Sequence, residues 1–182
     1  MQTRIRPATI ADAEAIALVH VVGWRESYRG LVPDRVIDGQ SVAGRTATWR
    51  RALDAERPAT SVMVAELGNA VVGFAAGGPR RGDAFSHDGE LYAIYVRRIA
   101  QGAGIGRALV CDLAGALAGR GFGTLALWVL RDNLAARQFY IRLGGRVVAE
   151  RIDDDGPVKL AEVAYGWNDL AALCRRGARP AA

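Results

Sequence analysis

Lysine is nearly absent from this sequence: of its 24 lysines and arginines, only Lys159 is a lysine. Cysteine is scarce as well, with Cys111 and Cys174 alone. That pair fits no metal-ligand spacing, so no metal site is indicated and two reduced, inert thiols are expected. Long apolar runs are missing, and no stretch approaches the roughly twenty residues that a membrane span needs. The opening residues, Met1-Gln2-Thr3-Arg4-Ile5-Arg6, carry no apolar signal core, which predicts a cytoplasmic protein. Neither a long basic tract nor a zinc-finger spacing occurs. This argues against a dedicated nucleic-acid fold, although the net charge is +5. The arginines are scattered apart from short pairs such as Arg80-Arg81 and Arg97-Arg98. Such a balance favours an anionic partner or simply makes a solvated arginine surface.

What is present is a chain of 182 residues, 51% hydrophobic and 24% charged, which suits one globular domain with a real core. The pattern predicts a domain over residues 1–170 and a flexible tail over 171–182. A short strand at 3–6 precedes an amphipathic helix from 11, with Ile16, Val19 and Val22 on one face and a bend at Gly23. A helical turn after Pro33 and a helix over 41–54 around Trp49 follow. Strands at 61–67 and 70–76 flank Gly68-Asn69, a hairpin turn signal. Residues 79–89 read as a loop and 90–97 as a strand. A helix over 104–118 carries Ile105, Leu109, Leu113 and Leu117 in one stripe. After it come a strand at 124–130, a helix capped by Asn133, and strands near 146–152 and 158–167 joined by the turn "DDDGP". The order is that of an α/β domain with a mixed sheet.

The segment "IAQGAGIGRALV", residues 99–110, places Gly102, Gly104 and Gly106 between a strand and a helix N-terminus. Free N–H groups and the helix dipole bind anions there; a tight turn with close packing is the competing reading. A Walker loop needs Lys-Ser or Lys-Thr after its last glycine, and Arg107-Ala108 stand there instead. A dinucleotide fingerprint needs glycine where Arg107 stands, and the next strand, "TLALWVL", offers no acidic residue for a ribose.

Gln101-Gly102-Ala103-Gly104-Ile105-Gly106 matches Gln/Arg-x-x-Gly-x-Gly/Ala and resembles the coenzyme A pyrophosphate loop of the GCN5-related N-acetyltransferase (GNAT) family. The family's second motif is matched by "NLAARQFYIRLGG", with Asn133, Ala136, Phe139, Tyr140, Leu143 and Gly144 in place. The most visible departure is Gly145, where an aromatic residue commonly follows Leu-Gly. The resemblance implies a twisted, mostly antiparallel mixed sheet flanked by helices, with a splayed parallel strand pair at the cofactor site. It implies acetyl-CoA as cofactor, a primary amine of a small molecule or peptide as acceptor, and direct attack in a ternary complex. A non-catalytic acyl-CoA-binding or regulatory module stays open, and so does a homodimer; no nucleic-acid or membrane partner is expected.

Residue by residue, the resemblance implies cofactor binding by Gln101 and pyrophosphate binding by the backbone N–H groups of Gly102, Ala103, Gly104, Ile105, Gly106 and Arg107, with a charge-assisted contact from the Arg107 side chain and a solvent-facing helix arginine as the competing reading. It implies pantetheine contacts along Ile94, Tyr95 and Val96, and a further cofactor contact from Asn133. Tyr140 is the expected general acid: a phenol beside the sulfur can give a proton to a developing thiolate. Glu90, opening the strand before the loop, is the expected base, with a solvated strand-end glutamate as the competing reading and His87 and Asp88 as nearby alternatives. A glutamate five residues before the motif asparagine serves some members, but Trp128 stands there. His20, Trp24 and Tyr28 recur every four residues on one helix face. "WRESYRGLVP" resembles the start of a subset of bacterial members, so Trp24 and Tyr28 are the expected acceptor contacts, with a core stripe as the competing reading for Trp24.

Overall fold

The computed structural model describes residues 3–54, 59–154 and 158–175. Its strands are β1 (Thr3–Pro7), β2 (Ser61–Leu67), β3 (Ala70–Pro79), β4 (Gly89–Val96), β5 (Leu125–Leu130), β6 (Arg146–Asp153) and β7 (Leu160–Trp167). They form one sheet in the order β1-β2-β3-β4-β5-β7-β6. Every neighbouring pair is antiparallel except β4 and β5. The helices are α1 (Ala13–Tyr28), α2 (Asp34–Asp38), α3 (Val42–Leu53), α4 (Ile105–Ala118), α5 (Leu134–Arg142) and α6 (Leu170–Arg175).

Alternate residues of the sheet feed two cores, because successive strand side chains point to opposite faces. On one face, Met63, Ala65 and Ala75 pack with Leu109, Leu113 and Leu117 of α4 and with Leu170 and Leu173 of α6. On the other, Val62, Val64 and Phe74 pack with Ile16 and Val19 of α1 and Trp49 of α3. The three α4 leucines are fully buried, each worth about 1.5–3 kcal/mol relative to exposure. The result is a sheet covered by helices on both faces. Among the described residues, no helix is long and apolar enough to cross a membrane.

The feature that makes a site is a break between β4 and β5. Their pairing covers only Gly89 with Leu125 and Glu90 with Ala126. Immediately beyond, the β3–β4 register shifts at Ala76/Gly77, so Tyr92 is skipped. A bulge bends a strand and increases its twist, and from Leu91 onward β4 pairs with β3 alone.

Three expectations change. The helix that was to bend at Gly23 runs unbroken as α1. Its glycine is there for packing: a Cβ would lie 2.7 Å from the Tyr95 ring. The missing aromatic at Gly145 is supplied from elsewhere, because a Cβ there would lie 2.8 Å from the ring of Trp167, whose Nε1–H donates to the Leu143 carbonyl at 3.0 Å. The first residues of the expected tail form α6 and bury Leu173; residues 176–182, like Asp155 to Pro157 of the "DDDGP" turn, lie outside the described residues.

Candidate active site

A cavity of about 660 Å³ opens where β4 leaves β5. Ile94, Tyr95 and Val96 line it from β4, and Gln101, Gly102, Gly104, Ile105, Gly106 and Arg107 from the glycine turn and the start of α4. Asn133 and Tyr140 close it from α5. Of the expected cofactor contacts only Ala103, at the exposed crest of the turn, is not on its wall.

The glycines act in two different ways. Gly102 and Gly104 both have φ of +80° with open space where a Cβ would stand. Glycine adopts that left-handed backbone without penalty. Gly106 is packed: a Cβ would lie 3.3 Å from the Phe139 ring, which brings α4 and α5 together. The Gln101 side chain donates to the Val96 carbonyl at 2.8 Å and ties the turn to β4. Among the described residues, the N–H groups of Gly102, Ala103, Gly104, Ile105, Gly106 and Arg107 have no backbone acceptor; the first in the helix to find one is that of Ala108, on the Gly104 carbonyl at 3.0 Å. Such a row at a helix N-terminus is a cradle for an anion. Arg107 adds a cation whose Nε is buried without a partner.

Asn133 caps α5, its Oδ1 accepting the Ala136 N–H at 3.1 Å, which leaves its amide N–H groups for the cavity. Tyr140 is buried under Phe139, Tyr165 and Trp167. Burial, with Tyr28 nearby, pushes its phenol above the ordinary value. It therefore keeps its proton at neutral pH. Residues that the sequence reading did not single out also line the cavity: Glu26, Ser27, Arg98, Ala135 and Arg142. Glu26 accepts the Arg98 N–H at 3.1 Å, fastening α1 to the turn before the glycines.

The remaining expected residues lie on the other face of the splay. Trp24 and Tyr28 meet at a tilt with ring centroids 4.4 Å apart and pack against the cluster of Val32, Ile37 and Leu130. The Tyr28 and Tyr95 hydroxyls interact, so Tyr28 reaches the splay from the α1 side as Tyr140 does from the α5 side. His20 stays in the core, stacked on Tyr95 at 5.1 Å; burial lowers its pKa to about 4.

Glu90 is not on the cavity wall. Its side chain is 3% exposed. Oε1 accepts from Arg81 Nη2 at 2.6 Å and Oε2 from the Arg81 backbone N–H at 2.8 Å. Both oxygens thus anchor the loop that precedes β4, and Arg81 would have to leave before Glu90 took a proton. Of its alternatives, Asp88 accepts the N–H groups of Gly123 and Thr124 at 2.8 and 2.9 Å, and His87 is buried against Gly166. A carboxylate the sequence reading missed stands on this same face: Glu162 of β7, opposite Leu130 of β5 and Arg151 of β6.

The model of the acetyltransferase (GNAT) family matches residues 17–144. An uncharacterized N-acetyltransferase, YuaI, from Bacillus subtilis is 36% identical over 171 residues, covering 93% of this chain and 95% of its own. Among solved structures, PaiA N-acetyltransferase from Thermoplasma acidophilum in complex with coenzyme A is 18% identical with a TM-score of 0.67, covering 90% of this chain and 98% of its own. A putative acetyltransferase, YncA, from Salmonella typhimurium with its cofactor acetyl-CoA is 22% identical with a TM-score of 0.68, covering 92% of this chain and 94% of its own.

Proposed function

The chain belongs to the acetyltransferase (GNAT) family, and from that premise we propose that it is an acetyl-CoA-dependent N-acetyltransferase that moves the acetyl group to a primary amine of a small molecule or peptide, by direct attack in a ternary complex. The observation that carries the reading is the row of unpartnered N–H groups from Gly102 to Arg107, opening into a cavity that ends at the buried Tyr140 hydroxyl. The donor set, the open space beside Gly102 and Gly104 and the cationic Arg107 fit a pyrophosphate.

When bound, acetyl-CoA supplies the acetyl thioester and a thiol leaving group. The chain's residues hold the pyrophosphate at α4, line the approach with Ile94, Tyr95 and Val96, and keep a phenol at the bottom. The unpaired edge of β4 offers backbone donors to an acyl oxygen, where charge develops during transfer. Tyr140 gives its proton to the departing sulfur. Because the amine attacks from the Tyr28 side, no covalent acyl-protein step is needed.

The test is release of coenzyme A from acetyl-CoA over a panel of amines, polyamines, aminoglycosides, amino acids and peptides. Turnover with at least one amine supports the reading. Tight acetyl-CoA binding with no turnover on any of them would favour the non-catalytic module instead.

A further inference from the structure

Glu90 and Glu162 lie on one face of the sheet and near enough for their charges to interact, yet their environments differ. In Glu162, Oε2 takes both groups of Arg151, Nε at 2.8 Å and Nη2 at 2.7 Å. Among the described residues no donor reaches Oε1. The side chain is 13% exposed, and Oε1 is not among the buried polar atoms left without a partner, so solvent, or a ligand, can reach it. Its position follows from the sheet. Glu162 pairs with Leu130 at the end of β5 that has parted from β4, and Leu130 belongs to the small cluster, with Val32 and Ile37, against which Trp24 and Tyr28 pack. Beside it on the same face, the Arg151 guanidinium stacks 4.1 Å above the Trp128 ring. A carboxylate with one oxygen pinned and the other open suits a cation.

We propose that Glu162 is the catalytic base: its Oε1 receives the ammonium of the acceptor and takes its proton, which makes the acceptor a cationic primary amine that enters between Tyr28 and Trp128. This rests on the acetyltransferase reading above. The proton account balances. One N–H bond of the ammonium breaks and an O–H bond forms on Glu162; the freed lone pair forms the new C–N bond as the C–S bond breaks. The sulfur takes the Tyr140 proton, the second proton lost by the nitrogen restores the phenol, and Glu162 returns its own to water. Arg151 acts through Glu162 as a positioning residue, holding Oε2 so that Oε1 faces the splay.

The charged and titratable groups around Glu162 are Arg151 and Asp153 from β6, Glu90 from β4 and Tyr28 from α1. Burial and the neighbouring carboxylates raise its pKa while Arg151 opposes them, which moves a base toward neutral pH, where proton transfer is most efficient.

The experiment compares the wild type, Glu162→Gln, Arg151→Gln and Glu90→Gln, using the amine that the wild type turns over fastest. Two readouts are taken: kcat/KM from pH 6 to 10, and equilibrium binding of that amine to the coenzyme A complex, which has no acetyl group to transfer. For Glu162→Gln we expect unchanged coenzyme A affinity, at least tenfold weaker amine binding, and a loss in kcat/KM of roughly 100-fold near pH 6.5. The loss should shrink toward pH 10, where the amine itself becomes neutral. Arg151→Gln breaks the same ion pair but keeps the carboxylate, so its loss should be smaller. A pH-independent loss in Glu162→Gln, a loss in Arg151→Gln equal to it at every pH, or a pH-dependent loss in Glu90→Gln alone would overturn the assignment while leaving the acetyltransferase reading intact. If Glu162→Gln does not fold, Glu162→Asp, which keeps the charge and shortens the reach, must show the same low-pH loss in weaker form. A wild type that binds acetyl-CoA and turns over no amine overturns the reading itself, and the base with it.

Discussion

The two faces of the β4–β5 splay are built by opposite means. On the cofactor face, the donors belong to the main chain: Gly102 and Gly104 turn it, Gln101 ties it to β4, and α4 presents its free N–H groups. These residues are contiguous, so their arrangement is local. On the proposed acceptor face, recognition would fall to side chains from four elements far apart in sequence: Tyr28 on α1, Trp128 on β5, Arg151 on β6 and Glu162 on β7. A main-chain site can serve one invariant ligand group; a side-chain site can change its ligand by substitution at any corner. The difference explains why the cofactor is nameable here before the acceptor is.

The largest expected effect lies where the faces meet. Tyr140→Phe removes the proton donor and nothing else from the cavity wall. It should lower kcat by about 100-fold in chemistry-limited turnover, with coenzyme A affinity within twofold of wild type. An unchanged kcat under those conditions would remove Tyr140 from the chemistry. Next, on the cofactor face alone, Gly104→Ala forces an L-residue into φ of +80°. The strain is about 1–2 kcal/mol, and a methyl group would stand beside the donors. Coenzyme A should bind roughly tenfold more weakly, while kcat at saturation changes little; isothermal titration and steady-state kinetics separate the two.

Smaller effects probe the acceptor side. Glu90→Gln should loosen the loop before β4 by about 1–2 kcal/mol, since hydrogen bonds to a charged group are lost. That is a drop of a few degrees in Tm for a chain of this size, with the rate ratio flat across pH. A rate loss confined to low pH would make Glu90 the base after all. The smallest effect belongs to His20, behind Tyr95. Its folded pKa of about 4 lies below the ordinary 6.5, so the unfolded chain takes the proton first. Stability from this residue is complete above pH 6.5 and is lost as pH falls toward 4, by near 1 kcal/mol at pH 6. Denaturant melts at pH 7.5 and 6 should show that loss, and His20→Phe should abolish it.

How much could be read without the fold follows from the same contrast. The strands from 61 to 67 and 90 to 97, the stripe Leu109-Leu113-Leu117 and the cap at Asn133 depend on periodicities and turn residues a few positions apart, and they stand where the pattern put them. Gly23 and Gly145 were legible as glycines but not as contacts. Each accommodates a ring, Tyr95 and Trp167, from a strand remote in sequence. Glu90 looked available because a strand-opening carboxylate is normally solvated; only the loop carrying Arg81 back over it shows both oxygens taken. For Glu162 no local signal exists. Its neighbours come from strand order, since β7 inserts between β5 and β6 and sets a glutamate near the chain's end beside an opening made by β4 and β5.

By itself, then, the amino-acid sequence determined the family, the α/β class and the cofactor. Backbone conformation at Gly102 and Gly104 and donors at a helix start are properties of a few consecutive residues. The tertiary structure alone decided which carboxylate is held and which keeps an open oxygen, and which aromatics stand around it. Burial and ion pairing depend on what the fold brings alongside, and no spacing along the chain encodes that.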